Sequence, residues 1–301
     1  MNEFVIDVLC AGHASYDLTF SVPHHPAADE KMVANRLQGC GGGPAANAAV
    51  TVARLDFRAA FAGYLGWDIY GQHHLDELKT EGVDDRYIVR GDTPTPVSAI
   101  LVKPDGQRAL INHKGDTRAL AADAIDFSHA SAKVLLFDGH EPHVALALLQ
   151  HRWSQKPLSV LDAGSLHDGT RTLLDKVDYL VCSEKFALQY ANAIDAALSS
   201  LAGLAPVVVI TLGERGLVWQ RGVETGRLDA PPIGAVDTTG AGDAFHGAFA
   251  AALTTGMSWQ DTLAYASAAG AFCCTVIGAR PGMPNAMDLQ TLLSRWPRSC
   301  D

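Results

Sequence analysis

The sequence has 301 residues, of which 48% are hydrophobic and 19% charged, and this composition predicts a large buried core and excludes a disordered chain. The formal net charge of -10 repels polyanions, which argues against nucleic acid or an anionic membrane as a principal partner. The length suits one α/β domain, and no linker divides residues 1–301.

The first predicted element is a strand at residues 4–10, an apolar run that is followed by Ala11 and Gly12. Asp17 comes soon after it. A carboxylate just beyond a central strand tends to face the crevice where α/β proteins bind ligands. A turn or cap role for Asp17 is equally open at this point.

Two stretches differ in character from the predicted core. Residues 16–38 alternate patchily and then become polar, while residues 86–113 contain two β-rich runs around a turn at residues 103–106. We predict that segments at about 13–38 and 86–113 project from the main sheet and form a small β lid.

A glycine run at residues 39–43 leads into an alanine-rich helical pattern with Pro44 near its first turn. The run formally contains G-x-G-x-x-A, but a polar stretch precedes it, whereas the dinucleotide fingerprint needs a buried strand there. We instead predict close backbone approach to a compact ligand, with Asn47 offering a donor and an acceptor.

The middle of the chain alternates between strand and helix patterns. Strands are predicted at residues 59–65, 133–137, 158–161, 179–182 and 207–211, and helical or mixed segments at 70–80, 144–153, 170–176 and 184–201. This order predicts a parallel sheet that is covered by helices on both faces. A hairpin at residues 216–228 and helices around 241–254 and 258–276 complete the predicted fold.

Residues 237–243 combine two threonines, two glycines and two acids immediately before a helical pattern. Unpaired amides at a helix start and the positive end of its dipole favour an anion such as phosphate. Asp243 lies where it would deprotonate a reacting hydroxyl, and an ordinary aspartate pKa of ~3.9 predicts that it is ionised at neutral pH. The alternative is a simple helix cap with a favourable acid.

Three stretches together resemble one known family. Residues 237–243, Asp-Thr-Thr-Gly-Ala-Gly-Asp, resemble the C-terminal signature of the ribokinase-like (PfkB) carbohydrate kinases, and residues 41–47 resemble their N-terminal glycine-rich signature. The turn at residues 211–216 is similar to the family's nucleotide-pocket turn. The resemblance implies a ribokinase-like three-layer α/β fold with a β-sheet lid. It also implies ATP-dependent phosphorylation of a hydroxymethyl group of a small carbohydrate.

The resemblance assigns roles to individual positions. Asp243 would be the general base, and the amides of Gly240, Ala241 and Gly242 would form the anion hole for the γ-phosphoryl group. Positions that match the family's sugar site are Asp17, Gly42, Gly43 and Asn47. Positions that match its ATP site are Ser183, Thr211, Gly213 and Gly216. Mg²⁺ would bridge phosphate oxygens, and carbonyls around Asp237 and Thr239 would hold a monovalent cation such as K⁺.

One stretch departs from the family pattern. Many members carry Asn-x-x-Glu after a central strand, where this chain has Ser183 and Phe186, and Glu184 is the neighbouring acid that would substitute. The ketohexokinase-like and sulfosugar-kinase-like branches also look altered there. We therefore expect a ketohexose or a related acid-bearing sugar as the acceptor. A nucleoside kinase, a non-catalytic sugar- or nucleotide-binding protein and, more remotely, a dehydrogenase are the alternatives.

The remaining polar clusters give weaker signals. The histidines at 24–25, 73–74 and 140–143 lack the HExxH spacing of a zinc site, which favours surface or supporting histidines. Asp138 and His140 follow a predicted central strand and would reach the sugar. Cations and an amide in or beside the lid would hold an anionic group, although solvated lid charges are the simpler interpretation; these are Lys31, Arg108, Asn112 and Lys114.

Compartment and assembly are predicted from cysteine usage and the lid. Six cysteines without CxxC spacing, no basic apolar leader and no apolar run of transmembrane length predict a cytoplasmic protein. Lid strands in this family often pair between subunits, so the resemblance implies a homodimer through the lid. The other expected partner is the small-molecule sugar.

Overall fold

The computed structural model describes residues 5–296, which contain thirteen strands and ten helices. In chain order the strands are β1 (Ile6–Ala11), β2 (Ser15–Ser21), β3 (Arg36–Gly42), β4 (Ala59–Gly66), β5 (Asp84–Gly91), β6 (Val97–Val102), β7 (Arg108–His113), β8 (Ala132–Phe137), β9 (Leu158–Ala163), β10 (Tyr179–Ser183), β11 (Val207–Thr211), β12 (Leu217–Arg221) and β13 (Glu224–Leu228). The helices are α1 (Pro44–Arg54), α2 (Ile69–Thr80), α3 (Pro142–Gln150), α4 (Asp168–Leu173), α5 (Glu184–Ala191), α6 (Ile194–Leu201), α7 (Ala241–Leu253), α8 (Trp259–Cys273), α9 (Ala279–Gly282) and α10 (Ala286–Arg295).

Nine strands form the main sheet in the order β13-β12-β11-β10-β9-β8-β1-β4-β5. The seven strands from β11 to β5 run parallel, and the β12–β13 hairpin is antiparallel at one edge. The carboxyl ends of the seven parallel strands therefore share one edge of the sheet. Ligand crevices of open α/β sheets form at this edge.

Helices cover both faces of the main sheet, as the alternation of strands and helices predicts. Neighbouring residues of one strand point to opposite faces: in β8, Val134 and Leu136 contribute to one core, and Leu135 and Phe137 to the other. The first core packs against α1, α7 and α8, and the second against α3, α5 and α6. The expected three-layer α/β architecture with a small second sheet is confirmed.

The small sheet, which we call the lid sheet, has the order β3-β2-β6-β7. Strands β2 and β6 are parallel, and the other two pairs are antiparallel. In the register, Asp17 pairs with Cys40 on one side and Ser98 on the other, and Ser98 pairs with Asn112. Cross-strand partners share a face, so Asp17 and Asn112 lie on the same face of the lid sheet.

Three sequence boundaries differ in the structure. The polar and glycine residues 36–42 form β3, because the lid sheet supplies a partner strand that local sequence does not show. Residues 86–91 belong to β5 at the edge of the main sheet, so the second lid segment begins at residue 97. The segment 184–201, which we predicted as helical or mixed, contains two helices. Asn192 adopts a left-handed conformation at φ 58° and separates α5 from α6.

Candidate active site

Helix α7 begins directly after the glycine turn of residues 237–243. Gly240 precedes the helix with φ 79°, and a Cβ atom at this position would lie 2.6 Å from the Cβ atom of Ala279. The turn therefore requires glycine. The first intrahelical bond joins the Ala244 N–H to the Gly240 carbonyl at 2.9 Å, which leaves the amides of Gly242 and Asp243 without a helical acceptor. The predicted helix start is confirmed, and open space surrounds the Cα atom of Gly242.

The carboxylate of Asp237 fixes the shape of this turn. Its Oδ1 atom accepts the N–H of Thr239 at 2.9 Å and the Thr239 hydroxyl at 2.6 Å, and its Oδ2 atom accepts the Gly278 N–H at 2.8 Å. The side chain of Asp237 thus ties the turn to the segment before α9. A turn that is held in this way presents its free amides without further rearrangement.

The lid sheet contacts the same turn. The guanidinium of Arg108, in β7, donates a hydrogen bond to the Thr239 hydroxyl. At the β6–β7 turn, a Cβ atom on Gly106 would lie 2.9 Å from the Val236 carbonyl oxygen, so the two backbones pack closely. The face of the lid sheet that bears Asp17 therefore lies over the start of α7.

Asp243 lies at the centre of the site, in the first turn of α7. Its Oδ2 atom accepts a hydrogen bond of 2.8 Å from the Nδ2 atom of Asn47, which belongs to α1. Burial and the nearby charge of Asp162 raise the pKa of Asp243 to about 7, although the Asn47 hydrogen bond and His246 oppose the shift. This pKa is higher than the ordinary aspartate value that we assumed from the sequence, because the sequence does not reveal how deeply the carboxylate is desolvated.

A chain of buried polar groups orients Asn47. The Nε atom of Arg280 donates to the Asn47 Oδ1 atom at 3.1 Å, which turns the amide nitrogen towards Asp243. The guanidinium of Arg280 also lies 3.1 Å from the Nε2 atom of His74 and 3.5 Å from Glu77, which in turn accepts the Gly41 N–H at 2.7 Å. Sequence reasoning missed Arg280 and Glu77.

His74 is fully buried, so of the two expected roles, surface or supporting, it takes the supporting one. Burial and the charge of Arg280 lower the pKa of His74 well below its usual range. A neutral ring accepts the Arg280 N–H at Nε2, and its Nδ1 atom has no hydrogen-bond partner within residues 5–296. His74 therefore helps to fix the guanidinium that orients Asn47.

Asp17 faces the glycine-rich segment from the lid sheet. Its carboxylate is buried and accepts a hydrogen bond of 3.0 Å from the Ser15 hydroxyl, and burial raises its pKa despite bonds from Ser15 and Ser98. A Cβ atom on Gly42 would lie 2.2 Å from the Asp17 Oδ2 atom, so glycine is required there. Gly43 has φ 94° and forms the start of α1. The structure thus brings Asp17, Gly42, Gly43 and Asn47 together.

Asp138 connects three segments at the carboxyl edge of the main sheet. Its carboxylate accepts the N–H groups of His13 at 2.7 Å, His140 at 2.8 Å and Ala45 at 3.2 Å. The ring of His140 lies 5.0 Å from that of His13 and 4.8 Å from that of His167, centroid to centroid. Sequence reasoning found Asp138 and His140 but missed His13 and His167, which lie far away along the chain.

The residues predicted to border ATP follow two neighbouring strands. Ser183 at the end of β10 pairs with Thr211 at the end of β11. Gly213 and Gly216 have φ values of 61° and 81° in the following turn, and a Cβ atom on Gly216 would lie 2.0 Å from the Leu228 carbonyl oxygen. The structure therefore places these four residues together at the carboxyl edge, beside α7.

The departure from Asn-x-x-Glu has a structural explanation. The Ser183 hydroxyl donates to the Gly164 carbonyl at 2.8 Å and accepts the Phe186 N–H at 3.0 Å, so it caps α5. The Phe186 side chain is fully buried in the core. Glu184 forms an ion pair with Arg215. Phe186 cannot serve a metal–water network, and the nearby carboxylate of Glu184 is already paired.

Two predicted residues lie at the margin of the site. Lys31 is exposed in the segment between β2 and β3, and no hydrogen bond or ion pair of its side chain occurs within the described part of the chain. Asn112 is exposed on the outermost lid strand, although its face is that of Asp17. In this conformation neither side chain joins the central cluster.

A buried pair beneath α7 was not predicted. The Nδ1 atom of His246 lies 2.6 Å from the Gly242 carbonyl oxygen and 3.2 Å from the Asp162 Oδ2 atom, and its Nε2 atom lies 3.3 Å from the Val181 carbonyl oxygen. His246 therefore donates to the Gly242 carbonyl and holds the first turn of α7 against the main sheet. Burial raises the pKa of Asp162 to about 8.

Residues 5–296 contain neither a membrane-spanning helix nor a metal-binding cluster. No helix there is long and apolar enough to cross a membrane. No cluster of three or more histidine, cysteine, aspartate or glutamate side chains is arranged to hold a metal ion. The described cysteines are free thiols, and Cys300 lies outside the described residues.

Comparison with known proteins relates the whole chain to sugar kinases. A family model described as pfkB family carbohydrate kinase matches residues 5–286. A ribokinase of Bacillus subtilis is 28% identical over 96% of this chain and 99% of its own length. An ATP-dependent ribose-1-phosphate kinase of Halopiger xanaduensis is 29% identical over 96% and 99%. The structure of Arabidopsis thaliana ribokinase complexed with ribose and ATP is similar with a TM-score of 0.81, 25% identity and coverage of 96% and 99%.

Proposed function

Because the chain belongs to the pfkB family of carbohydrate kinases, we propose that it transfers the γ-phosphoryl group of ATP to a hydroxymethyl group of a small sugar, with Asp243 as the general base. The observation that carries this proposal is the position of Asp243. It lies within one helical turn of free backbone amides and is bonded to an amide that Arg280 orients.

Asp243 performs the proton transfer in this proposal. The ionised carboxylate accepts the proton of the sugar hydroxyl, the hydroxyl oxygen forms a bond to the γ-phosphorus, and the bond to the β-phosphate oxygen breaks to release ADP. A pKa of about 7 leaves a substantial ionised fraction at neutral pH and makes Asp243 a stronger base than an ordinary aspartate. The Asn47 hydrogen bond fixes which oxygen of the carboxylate remains available.

The start of α7 stabilises the transferred group. We predicted an anion hole from the amides of Gly240, Ala241 and Gly242. The Ala241 N–H donates to the Thr238 carbonyl at 3.4 Å, whereas the amides of Gly242 and Asp243 lack helical acceptors at the positive end of the helix dipole. Charge on the equatorial oxygens of the phosphoryl group is therefore met by donors that are already in place. The Asp237 bonds to Thr239 and Gly278 keep these donors fixed.

The acceptor lies between the lid sheet and α1 in this proposal. Asp17 and Asn47 supply hydrogen-bonding groups, and Gly42 and Gly43 allow the sugar to approach the backbone. The contact of Arg108 with Thr239 closes the site over the turn, which would exclude water as a competing acceptor. Asn112 and His140 remain candidates for further contacts to the sugar in this proposal.

The nucleotide lies along the carboxyl ends of β10 and β11. Ser183, Thr211, Gly213 and Gly216 border it, and neither Ser183 nor Phe186 offers a carboxylate there. We infer that the Mg²⁺ that accompanies ATP is held chiefly by phosphate oxygens and water, where it neutralises phosphate charge. We also propose that carbonyl oxygens around Asp237 and Thr239 would bind K⁺.

The proposal also concerns which sugar is the acceptor. The Bacillus and Arabidopsis relatives are ribokinases, and no relative described above favours the ketohexose that we expected. D-ribose is therefore the first neutral acceptor to test. A nucleoside acceptor belongs in the same comparison because it carries the same hydroxymethyl group.

ADP release with Mg-ATP tests the proposed function. The acceptors are D-ribose, ketohexoses, sugar acids, sugar phosphates and nucleosides, each with K⁺ and with choline as the replacement cation. We expect ADP release that depends on a sugar and is faster with K⁺. Tight sugar binding without ADP above the sugar-free background would instead support a binding protein.

A further inference from the structure

Three imidazole rings form a row at the carboxyl edge of the main sheet, and we call His13, His140 and His167 the histidine row. They follow β1, β8 and β9, which are neighbours in the sheet. The ring centroids of His13 and His140 are 5.0 Å apart, and those of His140 and His167 are 4.8 Å apart with an interplanar angle of 19°. The row is therefore continuous across three strand ends.

Backbone hydrogen bonds hold the row in place. The buried carboxylate of Asp138 accepts the N–H groups of both His13 and His140. The N–H of His167 donates to the Thr170 hydroxyl at 3.0 Å, at the start of α4. Backbone hydrogen bonds therefore fix the three positions. The ring nitrogens of His13 and His140 have no hydrogen-bond partner within residues 5–296, so these two rings do not stabilise the fold through hydrogen bonds.

Lys114 supplies positive charge near the row. The charge of Lys114 acts on His13 and on His167, and its ammonium forms no ion pair within the described residues. Burial, His140 and Lys114 together lower the pKa of His13 to about 4, although Asp138 opposes the shift. Burial and the same neighbours lower the pKa of His167. His13 and His167 are therefore mainly neutral in the absence of a bound anion.

Three acids lie near the row, and none of them forms an ion pair with Lys114 or with a histidine of the row within the described residues. Asp138 is occupied by three backbone N–H groups, and Glu141 accepts the Leu120 N–H at 2.6 Å with a pKa raised to about 7, mainly by burial. Asp168 raises the pKa of His167 slightly but forms no ion pair with it among the described residues. Among residues 5–296, the row is not part of a cluster of side chains that could hold a metal ion.

The row adjoins the acceptor side of the proposed active site. A Cβ atom on Gly43 would lie 2.5 Å from the His13 carbonyl oxygen, so the row begins against the glycine-rich segment. Asn47 lies four residues further along α1, about 6 Å by helical rise, and bonds Asp243. Asp138, which holds the row, also accepts the Ala45 N–H in α1, so the row lies beside the helix that carries Asn47.

Resting on the proposed function, we propose that the histidine row and Lys114 bind an anionic substituent, a phosphate or a carboxylate, on the sugar acceptor. The hydroxymethyl end of the acceptor lies at Asp243, and its anionic end lies against the imidazoles. Neutral imidazoles donate one N–H each to an oxyanion, and the anion stabilises their protonated forms. Lys114 adds a positive charge that attracts an anionic substituent and gives no comparable interaction with a neutral sugar.

Binding of such an anion takes up protons, and its pH dependence has a definite sign. The bound anion raises the pKa of His13 and of His167 above the value in the free protein, so affinity increases as pH falls, which is measured here between pH 8 and 6. Glu141 becomes protonated in the same range and acts in the same direction, because loss of its negative charge favours an anion. A carboxylate ligand keeps its own charge throughout this range, whereas a phosphate has a pKa near 6.

Calorimetric binding without ATP tests the proposal. The ligands are D-ribose, D-ribonate and D-ribose 1-phosphate, measured with the wild type, His140→Gln, His167→Gln and Lys114→Met. The controls are His129→Gln and Lys156→Met, exposed positions that precede β8 and β9 at the opposite edge of the main sheet. We expect at least one anionic ligand to bind at least about tenfold more tightly than D-ribose, a difference of about 1.4 kcal/mol.

The three variants of the row and Lys114 should reduce that preference several-fold and flatten its pH dependence, whereas the controls should retain both. Preference for D-ribose 1-phosphate alone identifies a phosphate, and preference for D-ribonate alone identifies a carboxylate. Equal affinity for neutral and anionic ligands, or a preference that survives in all three variants, overturns the inference. If D-ribose still yields ADP in that case, the proposed function stands and only the anionic acceptor is lost. Absence of binding by every ligand together with absence of ADP overturns both.

Discussion

The protonation state of Asp243 controls the proposed chemistry at the scale of single residues. Burial and Asp162 raise its pKa to about 7, and the hydrogen bond from Asn47 limits that rise. Arg280 contributes indirectly, because its bond to Asn47 Oδ1 keeps the amide donor pointed at the carboxylate. Through Asn47, the orientation that Arg280 imposes on the amide therefore influences the pKa of the Asp243 carboxylate.

Replacing Asn47 with alanine should shift the pH profile of the reaction. Asp243 must be ionised to accept a proton, so activity falls as pH drops through its pKa. Loss of a hydrogen bond worth about 1.4 kcal/mol raises that pKa by about one unit and moves the acid limb of kcat/KM upward by the same amount. The measurement is the pH dependence of ADP release with D-ribose.

Asn35→Ala, at an exposed position beside the lid sheet, is the control for this variant and should keep the wild-type profile. An unchanged acid limb in Asn47→Ala would show that Asn47 does not set the basicity of Asp243.

The sequence predicts some residues of the site and misses others for a clear reason. Asp243, Asn47 and Asp17 belong to local patterns of glycine, helix start or strand end, which remain visible in one dimension. Arg280 lies 233 positions from Asn47 and 206 from His74, and no local pattern marks it. The pKa of Asp243 was misjudged because desolvation depends on distant segments.

At the scale of elements, the lid sheet is in direct contact with the turn that precedes α7. Arg108 in β7 contacts Thr239, whose hydroxyl also bonds Asp237. Closure of the lid sheet is thereby coupled to the turn that presents the anion-binding amides. Arg108 was predicted as a lid cation, and its contact with the α7 turn is visible only in three dimensions.

Replacing Arg108 with glutamine should weaken the closed state of the lid sheet. Loss of a charge-assisted hydrogen bond costs on the order of 1.5 kcal/mol, which lowers kcat/KM for the sugar about tenfold. Water then competes better as an acceptor, so ATP hydrolysis without sugar should rise relative to sugar phosphorylation. Both rates are measured as ADP release with and without D-ribose.

Arg152→Gln, an exposed position that follows α3, serves as the control and should leave both rates unchanged. A normal ratio of hydrolysis to transfer in Arg108→Gln would remove the proposed coupling between the lid sheet and the turn.

Most elements could be predicted from periodicity, and the exceptions have tertiary causes. The central strands of the main sheet are apolar runs bounded by turn residues, and α7 follows its glycine turn as expected, whereas the edge strand β5 is mostly polar and was assigned to the lid. β3 contains polar residues and glycines, and it becomes a strand only because β2 lies beside it. α5 and α6 share one helical pattern, but the chain turns at Asn192.

At the scale of the whole molecule, the parallel sheet assembles the site from distant segments. Seven parallel strands place the residues that follow β1, β8, β9, β10 and β11 along one edge, where α1 and α7 also begin. The alternation of strand and helix predicts this architecture. It does not predict which loops meet, so the histidine row emerges only from the strand order.

The lid sheet also bears on assembly, and the homodimer stays a prediction. Leu37 and Ile111 lie on the face opposite Asp17, with exposures of 59% and 68%. Pairing of two such faces would bury apolar surface. We expect a dimer in sedimentation equilibrium at micromolar concentration and its dissociation by Leu37→Asp with Ile111→Asp. A monomeric wild-type protein would refute the prediction.

The most direct test of the central claim is the turnover number of Asp243→Asn. The general base is lost, the size of the side chain is kept and the amides of the α7 start are unchanged. We predict that kcat falls by at least about a hundredfold, the scale of a lost general base, while the Kd for ATP changes little. Near-normal turnover in this variant would contradict the assignment of Asp243 as the general base.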